Sequence, residues 1–144
     1  MNINDQMGGI WAVVLAVKDL DAACKQYAAL GFRMQVREHR VAWGIEAAKF
    51  ETGNNSMIEL LSPKEPGNSV SDAVQRFLDK NGDGVYQVAV RVRDIDAVNA
   101  YLKQQDGVKV VSEPHPLPSA PEVKAMWISP RSTHGVFLEF ISGR

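Results

Sequence analysis

Two stretches of the chain closely resemble each other in their pattern of hydrophobic and polar positions. VVLAVKDLDAA occupies residues 13–23, and VAVRVRDIDAV occupies residues 88–98. In each stretch an alternating run is followed by an aspartate, Asp19 or Asp94, and then by apolar residues at helical spacing. Self-similarity of this kind marks a duplicated structural unit. We therefore predict that a strand leads into an aspartate-capped helix twice in this chain.

The two faces of the repeated strands differ in the size and polarity of their side chains. Branched residues share one face of each strand, which suits packing beneath a helix. The other face carries small residues in the first copy and mainly polar ones in the second: Ala12, Val14, Ala16, Gln87, Ala89 and Arg91. We predict that this second face lies on the side of the sheet away from the helix and leaves room there.

The same patterning predicts the other elements of the first half. The strand at about residues 10–17 follows a loose lead-in over residues 1–9, and the helix after Asp19 ends at Gly31. Three further strands are predicted, at about 32–39, 44–51 and 57–61. The order is strand, helix and three strands.

The second half is predicted to repeat this plan after a linking segment. Residues 62–68 contain two prolines and a glycine, and a helix opens at Ser69 or Ser71. Residues 112–121 hold four prolines and are predicted to lack regular structure, either bordering a pocket or serving as a plain connector. The strands that remain are predicted at about 108–111, 123–129 and 135–141. We expect one domain over residues 1–144, with modules at about 10–61 and 85–141 joined by a linker and helix at 62–84.

Composition narrows the class of partner. The 144 residues carry a net charge of -1, and the pI is about 6.3, so there is no basic footprint for nucleic acid or for an anionic membrane. The chain shows no signal-peptide pattern and no apolar run near the length of a membrane span. Cys24, the one cysteine, cannot form an intrachain disulfide. These features favour a cytoplasmic protein with a buried structural thiol.

One carboxylate stands among apolar residues in the last strand of each half. Glu59 lies in MIELL and Glu139 in VFLEFI, at matching positions of the repeat. Charged groups are seldom buried without a partner, and two at equivalent positions favour a shared role over an outward-facing strand position. If the repeated units line a common trough, Glu59, Gln87, Arg91 and Glu139 converge there.

Several motifs together resemble the vicinal oxygen chelate superfamily of glyoxalases, bleomycin resistance proteins and dioxygenases. They are KDLD, RDID, IELLSP, NGDGVYQVAV and SPRSTHGVFLEF, and they extend over about residues 10–141. Within the superfamily the chain is most similar to methylmalonyl-CoA epimerases. The resemblance implies an α+β fold of two βαβββ modules that form a half-open barrel. It also implies a homodimer and a divalent metal at the base of the cleft.

Carried over residue by residue, the family's four metal ligands fall on Ala12, Glu59, Gln87 and Glu139. Alanine cannot ligate, and the other three offer oxygen donors, so we expect either no metal or a weakly bound Mg²⁺ or Mn²⁺. A further catalytic glutamate of the epimerases falls on Ala42. With these losses we do not expect authentic methylmalonyl-CoA epimerase activity.

The remaining candidates are residues that would act on or bind a ligand. Glu139 is the candidate base, and Arg91 is the candidate donor to an enolate oxygen. The ligand-binding candidates are Trp43, Arg91, Trp127, Ser132, Thr133 and His134, although His134 fits a surface turn equally well. Four basic residues would either receive the phosphates of a CoA-like ligand or form a solvated strand face: Arg33, Arg37, Arg40 and Lys49.

Three functions are consistent with this pattern. The first is a relative with a degenerate metal site that binds a small organic or acyl-thioester ligand, with or without transforming it. The second is a metal-dependent isomerase or lyase that uses Glu59, Gln87 and Glu139. The third is a non-catalytic protein of the bleomycin-resistance type that sequesters its ligand.

Overall fold

The computed structural model describes residues 2–118 and 120–144. In this part of the chain eight strands and three α-helices follow one another in the order β1 Met7–Ala16, α1 Leu20–Ala29, β2 Met34–Arg40, β3 Ile45–Gly53, β4 Ser56–Pro63, α2 Ser69–Asn81, β5 Gly84–Val92, α3 Ile95–Leu102, β6 Val110–Leu117, β7 Ala120–Ile128 and β8 Phe137–Ser142. Short 3-10 helices lie at Ile3–Gln6, Val41–Trp43 and Pro130–Ser132. Ala12–Tyr86 forms one compact unit, and the residues before and after it form a second.

The repeated aspartates cap helices in the same way, as predicted. The Asp19 side chain accepts a hydrogen bond from the Ala22 backbone N–H at the start of α1, and the Asp94 side chain accepts one from Ala97 at the start of α3. Each bond satisfies a backbone donor that the first helical turn leaves without a partner. The repeated sequence therefore encodes the same local structure twice.

In the unit Ala12–Tyr86 the strands lie in the order β2, β3, β4, β1, and β1 runs parallel to β4. Leu15 and Val17 of β1 pack with buried residues of α1, among them Leu20 and Cys24. This is the branched face of β1, so the predicted helix side is correct. Ala12 and Glu59 point to the opposite side of the sheet, because strand residues alternate.

The second unit has the equivalent strand order β6, β7, β8, β5, with β5 parallel to β8. Val90 and Val92 of β5 pack with Ile95 and Val98 of α3 in its core. The register is also repeated: Val14 lies beside Glu59 in the first unit, and Ala89, its repeat equivalent, lies beside Glu139 in the second. The two carboxylates therefore hold the same place in their sheets.

The prediction that residues 112–121 lack regular structure is wrong, because β6 and β7 occupy most of this segment. β6 pairs with β7 alone in its unit, so it is an edge strand. Proline lacks a backbone N–H, and an edge strand tolerates this because one side of it makes no ladder bonds. Register shifts in the β6–β7 ladder accommodate Pro114 and Pro116.

The predicted loose lead-in at residues 1–9 is also incorrect over residues 2–9, and Met1 lies outside the described residues. Asn2 caps the 3-10 helix Ile3–Gln6, and β1 begins at Met7. The Gln6 side chain accepts a hydrogen bond from the Asp94 backbone N–H, and the Gln6 carbonyl accepts one from Arg93. These long-range bonds order the segment, and no local pattern reports them.

The other boundaries differ by a few residues. β4 continues to Pro63, into the predicted link, and Asn68 rather than a serine caps α2 through the Val70 N–H. None of the α-helices in the described residues is long and apolar enough to cross a membrane.

Candidate functional site

Glu139 and Gln87 form a buried pair on the face of their sheet away from α3. Only 6% of Glu139 and 9% of Gln87 is exposed. The Gln87 amide nitrogen Nε2 donates a hydrogen bond to a carboxylate oxygen of Glu139. Ala89, beside Glu139 in the register, is fully buried and adds no polar group. Glu139 is therefore a buried carboxylate that accepts a hydrogen bond from Gln87, and it is the candidate proton acceptor of this site.

Two other predicted residues lie on this face. Trp127 of β7 is the register partner of Glu139, so their side chains point to the same side of the sheet. Arg91 is four residues after Gln87 along β5 and shares its face, and its Nη1 donates to the Ile10 carbonyl oxygen at 3.1 Å. The structure therefore brings Gln87, Trp127 and Glu139 together and places Arg91 on the same surface.

Glu59 sits at the equivalent place in the other unit but has a different partner. Arg40 Nη1 lies 2.5 Å from Glu59 Oε1, and 18% of the Arg40 side chain and 6% of the Glu59 side chain are exposed. Arg40 Nε also donates to Glu38 Oε1 at 3.0 Å. A charged group of the opposite sign thus neutralises Glu59 within its own unit.

The aromatic ring of Trp43 supports the same cation. The Arg40 guanidinium carbon lies 5.8 Å from the centroid of the Trp43 ring, within range of a cation–π interaction. Burial alone would lower the pKa of Arg40, but the charge of Glu59 and the hydrogen bonds to Glu38 and Glu59 outweigh it, so the pKa is raised. Arg40 therefore stays positively charged beside Glu59.

The four positions that the resemblance implies for a metal do not fit one. Ala12 supplies no donor atom, Glu59 is bonded to Arg40, and Gln87 turns its N–H rather than its carbonyl oxygen toward Glu139. A divalent ion would have to displace a fixed guanidinium and reverse an amide. Within residues 2–118 and 120–144 no three His, Cys, Asp or Glu side chains form a group able to hold a metal.

The turn before β8 holds three predicted ligand-binding residues, and two of them stabilise the turn itself. The Ser132 hydroxyl accepts a 2.7 Å hydrogen bond from the Lys109 backbone N–H. The Thr133 hydroxyl donates to the Val136 carbonyl. His134 is exposed and has a φ of 57°, in the left-handed region. Contact with a ligand by these three residues stays a prediction.

The four basic residues considered for phosphate binding do not form one cluster. Arg33 pairs with Glu51, and Arg37 pairs with Asp21 of α1 at 2.7 Å and with Glu46 at 3.0 Å. Arg37 and Arg40 are three residues apart on β2, so they point to opposite faces of the sheet. The hydrogen bonds that the Arg37 guanidinium donates to the Asp21 and Glu46 carboxylates raise the pKa of Arg37.

Sequence analysis missed the roles of Arg40 and His115. The sequence pattern presents Arg40 as one of four bases that either bind phosphates or form a solvated strand face. The structure places it on the Glu59 face, because it alternates in phase with Val36, and Val36 lies opposite Lys49, which lies opposite Glu59. His115 was hidden in the segment predicted to be irregular. Its ring centroid lies 5.3 Å from that of Trp127, which places it on the same face as Glu139. The one sequence signal for His115 was alternation within a proline-rich strand.

The fold and these positions are those of a known protein superfamily. The family sequence model of the glyoxalase/bleomycin resistance protein/dioxygenase superfamily matches residues 12–125, and the chain belongs to this superfamily. The resemblance seen in the sequence is therefore confirmed.

Several of the similar solved structures are methylmalonyl-CoA epimerases. Methylmalonyl-CoA epimerase from Mycobacterium tuberculosis is 30% identical, with a TM-score of 0.80, over 96% of this chain and 90% of that one. A Streptomyces coelicolor methylmalonyl-CoA epimerase variant in complex with 2-nitronate-propionyl-CoA is 27% identical, with a TM-score of 0.80, over 94% of each chain.

One curated relative is also named as an epimerase. The chain is 33% identical to a 2-epi-5-epi-valiolone epimerase from an Actinomyces species over 69 residues. This match covers 47% of the present chain and 38% of that enzyme, so it spans well under half of the relative's length.

Proposed function

We propose that this protein binds a small organic or acyl-thioester ligand and moves a proton on it with Glu139, without a divalent metal. The supporting observation is the buried Gln87–Glu139 pair. A carboxylate in this setting can accept a proton from a carbon next to a carbonyl. The class of ligand is suggested by the epimerase in complex with 2-nitronate-propionyl-CoA.

The chain's own residues have distinct tasks in this proposal. Gln87 orients the Glu139 carboxylate, and Trp127 provides an apolar surface beside it. The Arg91 guanidinium supplies positive charge to the enolate oxygen that forms when the proton leaves. Arg40 holds Glu59 as a structural ion pair, so Glu59 is not a second base.

We propose that this protein differs from methylmalonyl-CoA epimerase in its substrate. We also infer that its metal site is degenerate. Ala12 and Ala42 lack the side chains that the resemblance implies for ligation and for catalysis. We also propose that the protein is cytoplasmic and that it functions as a single domain. The lone, buried Cys24 supports the intracellular setting.

The test follows α-proton exchange by ¹H NMR in D₂O. Wild-type protein treated with EDTA is incubated with a panel of 2-methyl-branched acyl-CoA thioesters, next to a Glu139→Gln variant. We expect exchange by the wild type and a loss of about 100-fold or more in the variant, the usual contribution of an acid–base residue. A matched control is Glu51→Gln, which changes a partly exposed strand carboxylate of β3.

Other outcomes would overturn the proposal in defined ways. Binding of a thioester without exchange would identify a sequestering protein. Exchange that is lost on EDTA treatment and restored by Mg²⁺ or Mn²⁺ would identify a metal-dependent isomerase. Native mass spectrometry of the purified protein provides a separate check, because it reports which ligand copurifies.

A further inference from the structure

The hydrogen bonds of His115 determine which of its ring nitrogens carries a proton. Nδ1 lies 2.9 Å from the backbone carbonyl oxygen of Glu113, and a carbonyl oxygen can only accept. Nδ1 is therefore the protonated nitrogen of the neutral ring, and the bond fixes this tautomer. Ser112 Oγ lies 3.2 Å from the same Nδ1.

The other nitrogen, Nε2, makes no hydrogen bond to any group in the described part of the chain. In the tautomer set by Glu113 it has a lone pair that can take up and release a proton. A ring held at Nδ1 and open at Nε2 is the arrangement found in acid–base histidines.

The position of His115 relates it to Glu139. His115 lies opposite Ala125 of β7 and Trp127 lies opposite Glu139 of β8, so all four share one face of the sheet. The imidazole and indole rings pack at 5.3 Å with an interplanar angle of 34°. β6 and β8 are two strands apart, or about 10 Å between their axes, and His115 is also offset from Glu139 by two residues along the strands, or about 7 Å. Trp127 lies on the strand between them.

That separation suits a small ligand held between two bases. Each reacting nitrogen or oxygen must approach the carbon to about 3–3.5 Å, which places two opposed bases about 6–7 Å apart. The Cα atoms of His115 and Glu139 are therefore about 12 Å apart, and the two side chains reach the required distance by leaning toward each other over about 5 Å in total. The indole ring of Trp127, which packs against the imidazole, would line one side of the ligand.

We propose that His115 is the second acid–base residue of this site and acts on the ligand from the side opposite Glu139. The inference rests on the proposed function, since it requires Glu139 to remove the α-proton. Glu139 takes the proton from carbon and becomes a carboxylic acid, while the electron pair moves to the thioester oxygen as an enolate. The His115 imidazolium then gives its Nε2 proton to the other face of the carbon, and the thioester carbonyl re-forms.

The two groups return to their starting states by exchange with water. After one turnover Glu139 is protonated and His115 is neutral, so Glu139 loses a proton and Nε2 gains one. The result is inversion at the carbon with no net change in protons. Inversion needs a group on each face, and the position of the epimerases' additional glutamate is Ala42 here.

The test separates exchange from inversion. The separated 2R and 2S epimers of the 2-methyl-branched acyl-CoA thioesters are incubated in D₂O with wild-type protein and with His115→Asn. Asparagine can keep the donor to the Glu113 carbonyl but has no group equivalent to Nε2. We expect the variant to retain exchange on one epimer within a few-fold while forming the opposite epimer about 100-fold more slowly.

A matched control is His39→Asn on β2, where the histidine pairs with Glu65 at 2.7 Å. It should leave exchange and inversion unchanged. If His115→Asn loses both activities equally, or retains both, His115 is structural and the inference is wrong. If the wild type exchanges neither epimer, the proposed function is wrong as well. This result is distinguishable from a failure of the His115 inference alone, because it is seen in the wild type without any variant.

Discussion

The Arg40 guanidinium lies 2.5 Å from the Glu59 carboxylate, at the strand position that Glu139 occupies in the other unit. The duplication therefore produced two buried acids with different partners. One carries a charged partner, Arg40, and the other accepts from the neutral Gln87. From this difference in partners we infer that Glu59 has a structural task, and we propose the chemical task for Glu139.

The first prediction concerns the stability of this ion pair. Removing one partner leaves the other charge buried and uncompensated, which costs about 3–5 kcal/mol. We expect Arg40→Met and Glu59→Gln each to lower the free energy of unfolding by this order, and the double variant to lose less than their sum. Chemical denaturation gives the free energy of unfolding of the wild type, the two single variants and the double variant. Additive losses would show that the two side chains do not interact.

Arg33→Met is the matched control for that experiment. Arg33 also pairs with a strand glutamate, Glu51, but 78% of its side chain is exposed. Exposed pairs contribute little because water screens them. The denaturation midpoint of this variant should stay close to that of the wild type.

The second prediction concerns metal binding. Replacing Ala12 and Gln87 by His provides two imidazole donors at the positions that the resemblance implies, but Glu59 remains paired with Arg40. We expect the wild type to bind Zn²⁺ poorly and the double variant to bind it better. Adding Arg40→Met should increase the affinity by about a further tenfold or more, because it releases the carboxylate.

Calorimetric titration after chelation distinguishes these proteins. Equal affinities in the double and triple variants would show that Arg40 does not compete with a metal. Tight, stoichiometric binding by the wild type would contradict the proposed degenerate site. Weak binding by the wild type and by both variants would mean that positions 12, 59, 87 and 139 do not converge.

The third prediction concerns Cys24. It is 6% exposed, and burial is the main cause that raises the pKa of its thiol. A higher pKa leaves less thiolate near neutral pH, so the thiol should react slowly with iodoacetamide in the folded protein. The comparison is a Cys24→Ser, Gln104→Cys variant, whose thiol lies at an exposed position. Similar alkylation rates in the two folded proteins would contradict this account.

The fourth prediction is that the protein forms a homodimer, as we propose from the resemblance. β2 and β6 are edge strands of their units, and β1 exposes 49% of Ile10. Unpaired edges and apolar surface favour association with a second copy. Sedimentation velocity at tens of micromolar should show twice the 15.9 kDa mass of the chain. A single monomeric species at that concentration would rule the dimer out.

The sequence alone determined the duplicated plan of this protein. Asp19 and Asp94 cap helices, and Glu59 and Glu139 occupy equivalent positions, because capping and strand alternation act over a few neighbouring residues. The superfamily followed from the same local motifs. None of these features needs distant parts of the chain to be placed in space.

The tertiary structure decided which side chains meet. Arg40, rather than Arg37, reaches Glu59 because the ladder between β2 and β3 shifts register near Met34 and Val36, and a shift of one residue moves every side chain to the other face. His115 shares a face with Glu139 because the ladder between β6 and β7 shifts register between Ser112 and His115, and the edge position of β6 tolerates the prolines around it. Register and edge position arise from pairing between distant segments, and for that reason local patterns did not reveal them.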